Sequence, residues 1–384
     1  MKKFGALLFI VVISLAVFTA THGGHEVPIY PSYYPQEIRI ESVDPTSAAG
    51  FLREAKIHAY VGDETVFEKT IPESIGYVES LGSYIVLTLN PVSRLVEEEK
   101  TGCSATQSIA RVLAEANERF FFHPYPVNPF HADYLHHFDL VEAAKKRYLD
   151  GPVAAPDSLL PDLKVRVKGT LANKIVQPRW QAGTLEWDAT VEEIDADDLV
   201  ASHTFNVNGW LGPPWVKKGW FHAYLLLAGG LSNTSAKHRA EVHFWRLRTG
   251  NYDGTAEKVN LERRLLSLLT SGCRRVVVGY TIKREYFNSD YSAGIENIAY
   301  DSHAGLNSPI FIRTVKLKDF PWNGWLRLGI KQKPSAAWNP MGGFTDDAGR
   351  LIWFALADPA LFPEPYDANW VLNRIGDVQS TLGK

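Results

Sequence analysis

The chain has 384 residues, 45% of them apolar and 22% charged, with a formal net charge of −3. That balance excludes an intrinsically disordered chain and a broad nucleic-acid surface, which needs a basic stripe. Two cysteines leave no CxxC or CxxCH motif, which excludes covalent c-type haem and argues against an iron–sulfur cluster bound by this chain alone.

Residues 1–20 read as a secretory signal peptide. Lys2 and Lys3 are followed by an uncharged run, Phe4–Ala20. An uncleaved N-terminal anchor is the alternative, because 17 residues reach the short edge of a spanning helix. No cysteine stands near the leader to carry a lipid. The expected location is periplasmic or secreted, with membrane contact only through an uncleaved leader. Residues 21–36 form an extended polar segment rich in Pro and Tyr, and its His22 and His25 are candidate metal ligands. Cleavage after Thr19 would put an imidazole third from a free amine, a square-planar arrangement that suits copper. Cleavage after Thr21 would make His22 itself terminal, with His25 as a further ligand. A solvated tether is the alternative.

Residues 37–95 alternate short apolar runs with turn residues ("EIRIES", "KIHAYV", "YIVLTL"), the pattern of a small β layer. Residues 96–150 read as helical. Ser104 and Gln107 suggest a capping box, with Ile109, Val112, Leu113, Ala116 and Phe120 following at helical spacing. Cys103 would then sit just ahead of a helix N-terminus, where the dipole favours a thiolate nucleophile. A disulfide to Cys273 is the competing reading, and the two exclude each other.

A second helix is expected from Asn128-Pro129 to just before Gly151. On it Asp133 and His137 are four apart, and His136 and Asp139 three apart, so each pair shares a face. Asp133, His136 and His137 are therefore candidate metal ligands, with plain surface ion pairs as the alternative. His131 falls on the apolar side and reads as a core histidine.

The Pro/Asp-rich stretch 151–162 reads as a linker, followed by a larger β-rich domain over 163–384. Strands are expected at "KVRVKGTL", "TLEWDATVEEI", "EVHFWRLR", "RRVVVGYTIK", "IFIRTVKLK", "GWLRLGI" and "LIWFALA", with one helix near 258–271. Within a long polar segment, Asp301 and His303 are two apart and are catalytic candidates facing one pocket. Trp322, Trp325 and Trp338 stand among turn residues, as aromatics that stack on ligands or dock partners do. No G-x-x-x-x-G-K-[ST], GxGxxG, HExxH or GxSxG motif occurs, which leaves nucleotide chemistry, zincin proteolysis and the commonest serine hydrolase without local support.

The expected fold is α+β, mostly antiparallel β in sandwich-like layers, with a helical insert in the first half. The expected function is an exported binding or accessory protein with copper as candidate cofactor. Its partner would be an envelope protein or a small-molecule ligand, and not nucleic acid. Two alternatives stand beside it. One is an exported enzyme, either a Cys–His hydrolase or transferase using Cys103, or a copper oxidoreductase. The other is a structural subunit of an envelope complex.

Overall fold

A computed structural model describes residues 35, 37–62, 66–67, 70–96, 99–116, 120–150, 163–181, 186–201, 213–319, 324–333, 346–357, 359–373 and 375–376. In chain order the strands are β1 (Glu37–Ser42), β2 (Ala59–Val61), β3 (Ile75–Leu89), β4 (Phe121–Phe122), β5 (Val165–Lys168), β6 (Ala189–Asp195), β7 (Arg275–Asn288), β8 (Ile295–Asn297), β9 (Lys316–Leu317), β10 (Trp325–Ile330), β11 (Leu361–Pro363) and β12 (Trp370–Leu372). The helices are α1 (Pro45–Arg53), α2 (Glu99–Ala114), α3 (Phe138–Asp150), α4 (Thr170–Ile175), α5 (Ala196–Ala201), α6 (Gly219–Leu227), α7 (Thr234–Thr249), α8 (Gly254–Leu269), α9 (Pro309–Thr314) and α10 (Asp347–Leu356).

The apolar run "YIVLTL" in β3 organises the molecule. Tyr84 and Val86 join one hydrophobic cluster, while Ile85, Leu87 and Leu89 join another. In β7, Val277 and Tyr280 go with the first set, and Val276 and Val278 with the second. A strand covered on both faces needs apolar residues at successive positions rather than alternate ones. Helices α6, α7 and α8 cover the first face, and α2 and α4 the second.

The sheet runs β1-β10-β2-β7-β3-β6-β5, with β4 added beside β7. Pairs β1/β10, β10/β2 and β5/β6 are parallel; β2/β7, β3/β7, β3/β6 and β4/β7 are antiparallel. This is a mixed α/β fold with a large mixed sheet, which corrects the expectation of mostly antiparallel, sandwich-like layers. Several expected strands are helices. "EVHFWRLR" lies in α7, "LIWFAL" in α10, and "IFIRT" in α9. A short apolar-rich run does not reveal its period, so helix and strand compete for it. For α7 the arbiter is at its ends: the Asn233 side chain accepts from Ala236 N, and Gly250 stops the helix at φ 71°.

Strand β3, from the expected first β layer, pairs directly with β6 and β7 from the stretch after the expected linker. The linker itself, 151–162, lies outside the described residues. Gly279 in β7 lets β4 come close, since a Cβ there would meet the Phe121 carbonyl oxygen at 2.1 Å. Among the described residues, no helix is long and apolar enough to cross a membrane.

Helix α2 is already formed at Glu99, so Cys103 lies inside the helix rather than ahead of its N-terminus. Cys103 is bonded to Cys273, just before β7. A bridged sulfur is no resting nucleophile, and α2 packs on the sheet face opposite Tyr84 and His222, with which His303 is in ring contact. These facts overturn the Cys–His hydrolase reading.

Candidate metal centre

The expected helix begins only at Phe138, as α3, and ends at Asp150, just before Gly151 as expected. Residues before α3 fold instead as turns and a 3-10 turn, Tyr134–His137. The tighter winding turns His137 inward, where it is fully buried, and leaves His136 half-exposed, with 43% of its side chain reached by solvent. His136 and Asp139 do not pair. Asp139 instead takes both guanidinium nitrogens of Arg263, at 2.8 and 2.6 Å.

Asp133 is also fully buried and caps α6. Its Oδ1 accepts from Gly219 N at 2.6 Å and its Oδ2 from Trp220 N at 3.3 Å. Burial opposes ionisation of this carboxyl. Contact with the His137 imidazole, with help from the Gly219 amide, outweighs burial and holds it at about 2. Asp133 is therefore an anion at neutral pH.

Glu262 of α8 completes the group. One ligating atom from each of Asp133, His137 and Glu262 lies within 4.8 Å of the others, and all three residues are fully buried. His137 Nε2 is 3.6 Å from Asp133 Oδ2, and His136 Nδ1 is 3.6 Å from Glu262 Oε2. Both contacts are too long for hydrogen bonds. Among the described residues, neither oxygen of Glu262 and neither nitrogen of His137 has a hydrogen-bond partner. Burial, then the charge of Asp133, pushes the Glu262 carboxyl up to about 7.

Next to this group is a second buried cluster, His131, His222 and His303, whose ring nitrogens also come within 4.8 Å. Its hydrogen bonds argue against a metal there. Asn128 N donates to His131 Nδ1 at 2.9 Å, so His131 carries its proton on Nε2 and donates it to Tyr84 Oη, also at 2.9 Å. Tyr84 in turn donates to His222 Nδ1 at 2.7 Å, and His222 Nε2 donates to the Val216 carbonyl at 2.8 Å. Every nitrogen of His131 and His222 is used, and ligation through His131 Nε2 would set a proton on Nδ1 against an amide N–H. Burial holds His222 at about 4 and, together with the neighbouring imidazoles, keeps His131 and His303 well below their ordinary range. The trio is neutral, with His131 and His222 joined through Tyr84 and His303 only in ring contact with both.

Asp301 and His303 do line one cavity, of about 40 Å³, together with Asp197, Lys217 and Arg350. The carboxylate there is engaged in structure. Asp301 Oδ1 accepts from His303 N at 2.9 Å and from Ala304 N at 3.1 Å, and its Oδ2 pairs with Lys217. The space suffices for a few waters beside His303.

The candidate ligands His22 and His25 lie outside the described residues, as do Trp322 and Trp338. The group thus joins Asp133 and His137, expected together, to Glu262, which sequence reading passed over. A signal for Glu262 existed: it falls in the apolar stripe with Leu265, Leu266 and Leu269, where a carboxylate needs a reason to be. His222, in the apolar run "GWFHAYLLL", carried the same kind of signal.

No family model matches the chain, and no curated protein does. It is similar to solved structures at low identity. NikZ from Campylobacter jejuni in complex with Ni(L-His) is 15% identical, over 68% of this chain and 58% of that one, with TM-score 0.36. The oligopeptide-binding protein AppA from Bacillus subtilis, in complex with a nonapeptide, is 13% identical over 71% and 58%, with TM-score 0.39. The ABC transporter-associated periplasmic binding protein DppA from Helicobacter pylori, in complex with the peptide STSA, is 13% identical over 72% and 55%, with TM-score 0.40. The chain spans a little over half the length of these structures, and at such distance the likeness carries no argument about ligand.

Proposed function

We propose that the chain is an exported binding protein that holds one divalent transition-metal ion between Asp133, His137 and Glu262. Export is supported by the leader at residues 1–20. The observation that carries the metal is the pairing of a fully buried carboxylate and a fully buried imidazole with no hydrogen-bond partner, pointed at an ionised aspartate. Buried polar groups of this kind demand a partner, and an ion is one. Two carboxylates and one imidazole suit zinc, manganese or ferrous iron better than copper, which prefers nitrogen-rich square-planar sets. Burial of all three ligands fits holding an ion rather than exposing it to substrate, and half-exposed His136, 3.6 Å from Glu262, would mark the route from solvent and supply a fourth donor.

The test is titration of chelator-treated protein with Zn2+, Mn2+, Ni2+ and Cu2+, read by calorimetry and by the mass of the native ion. One ion per chain is expected, with at least 100-fold weaker binding in Glu262→Gln and His137→Ala. Cobalt bound in this group would give a visible absorption band that both variants lose. Binding that survives both substitutions, or no binding at all, would leave the two groups sharing a proton as a buried pair. A separate copper site at His22 and His25 is resolved in the same titration: the double alanine variant would lose a Cu2+ equivalent while keeping the Zn2+ one.

A further inference from the structure

A larger cavity, of about 370 Å³, opens between α3, the last turn of α8 and the start of β7. That volume is in the range of small-molecule sites. Part of its wall is apolar, with Leu140, Ala144, Leu227 and Val277 among the lining residues, and the rest is polar. Ala143 and Ala144, side by side on α3, leave the space that larger side chains would fill.

Three polar groups in the wall are committed elsewhere, whereas the buried Tyr125 hydroxyl has no hydrogen-bond partner among the described residues. Thr270 Oγ donates to Leu266 O, and Ser271 Oγ to Leu268 O, both at 2.8 Å. Their hydroxyls therefore face a guest with lone pairs alone. Arg275 is spent as well: Nε donates to Leu226 O at 2.6 Å, Nη1 to Thr88 Oγ1 at 2.8 Å, and Nη2 lies 3.6 Å from Glu192. Arg147 differs. It lies exposed in the last turn of α3 and lines the cavity from its rim. A guest would thus meet an apolar strip flanked by hydroxyls, with a cation at the entrance.

We infer that this cavity binds an amphipathic monocarboxylate of medium chain length, its hydrocarbon inside and its carboxylate on Arg147. Charge complementarity selects the headgroup, because Arg147 is a five-donor fork matched to a carboxylate. The apolar strip of Leu140, Ala144, Leu227 and Val277 selects the tail. A neutral or cationic head would gain nothing at the rim, although the carbonyl end of α8 nearby would favour a cation if it outweighed Arg147.

The probes are octanoate, 1-octanol and octylammonium, titrated into the full chain by calorimetry, with thermal shift as a second readout. Octanoate should bind at least tenfold more tightly than the other two. Arg147→Gln should erase that preference while leaving weak binding of the tail. Ala143→Trp, which fills the cavity from an exposed position on α3, should abolish binding of all three. Circular dichroism and the unliganded melting temperature separate that loss from misfolding. The inference is overturned if octanoate shows no binding at millimolar concentration, if octylammonium binds as well as octanoate, or if a folded Ala143→Trp variant still binds it.

Discussion

Tyr84 shows how much a single hydroxyl decides in this interior. It is 1% exposed, and it links His131 to His222 by accepting from one and donating to the other. Phenylalanine would keep the ring and strand two imidazole nitrogens, which costs about 1–3 kcal/mol. Urea unfolding of Tyr84→Phe should show a lowered midpoint with an unchanged slope, whereas an unchanged midpoint would mean that water or a rotamer replaces the hydroxyl. Gly305 is a second such position. Its φ is 63°, and a Cβ there would stand 2.0 Å from Glu285 Oε2. Neither role was legible. In sequence Tyr84 is one more aromatic in an apolar strand, and its partners come from remote turns and helices. Asp133 and His137 were legible as a pair through their spacing, though not as a buried one, because the 3-10 turn that buries them leaves no periodic signature.

At the scale of elements, the disulfide between α2 and the entry to β7 ties a helix on one face of the sheet to its longest antiparallel pair. Its loop spans 170 residues, so the unfolded chain is strongly restricted by it. Replacing both cysteines by serine should lower stability by about 3–5 kcal/mol in denaturant unfolding, and a reducing agent should reproduce the effect on the native chain. An equal stability with and without the bridge would overturn this. The central strands were readable because β3 and β7 carry β-branched and aromatic runs of strand length. Helices α9 and α10 were not, since they are short or apolar enough to pass for buried strands, and in α7 the run "EVHFWRLR" mixes apolar and polar residues closely enough to pass for one. Capping residues such as Asn233 and Asp346 were the overlooked cues.

For the molecule as a whole, buried histidines govern the response to acid. Burial holds His58, His123 and His222 at about 4, while burial and neighbouring imidazoles push His131 and His303 well below the ordinary range. In the unfolded chain each would protonate near 6.5. Between about pH 6.5 and 4 the unfolded state therefore binds more protons at these five positions, and their contribution to stability falls as pH falls. Glu262 and Glu285, raised by burial to about 7, act oppositely in the window from 7 down to 4.5, because there the folded state binds the extra proton. Five groups outweigh two, so net stability should drop on acidification below about 6.5, by about 1.4 kcal/mol per pH unit for each uncompensated proton. Melting temperatures measured from pH 8 to 4.5 check this, and a rise below pH 6.5 would contradict it.

Local properties of the chain were enough for several conclusions. The absence of nucleotide and protease motifs, the pair of cysteines and the apolar strands each depend on neighbours in sequence. What the tertiary structure alone decided is where distant groups meet. Helices cover both faces of one mixed sheet, Cys103 is tied away from the buried histidines, and Glu262 faces Asp133 and His137. The reason is physical: a buried carboxylate or imidazole takes its state from whatever packs against it, and packing joins residues that no sequence window holds together.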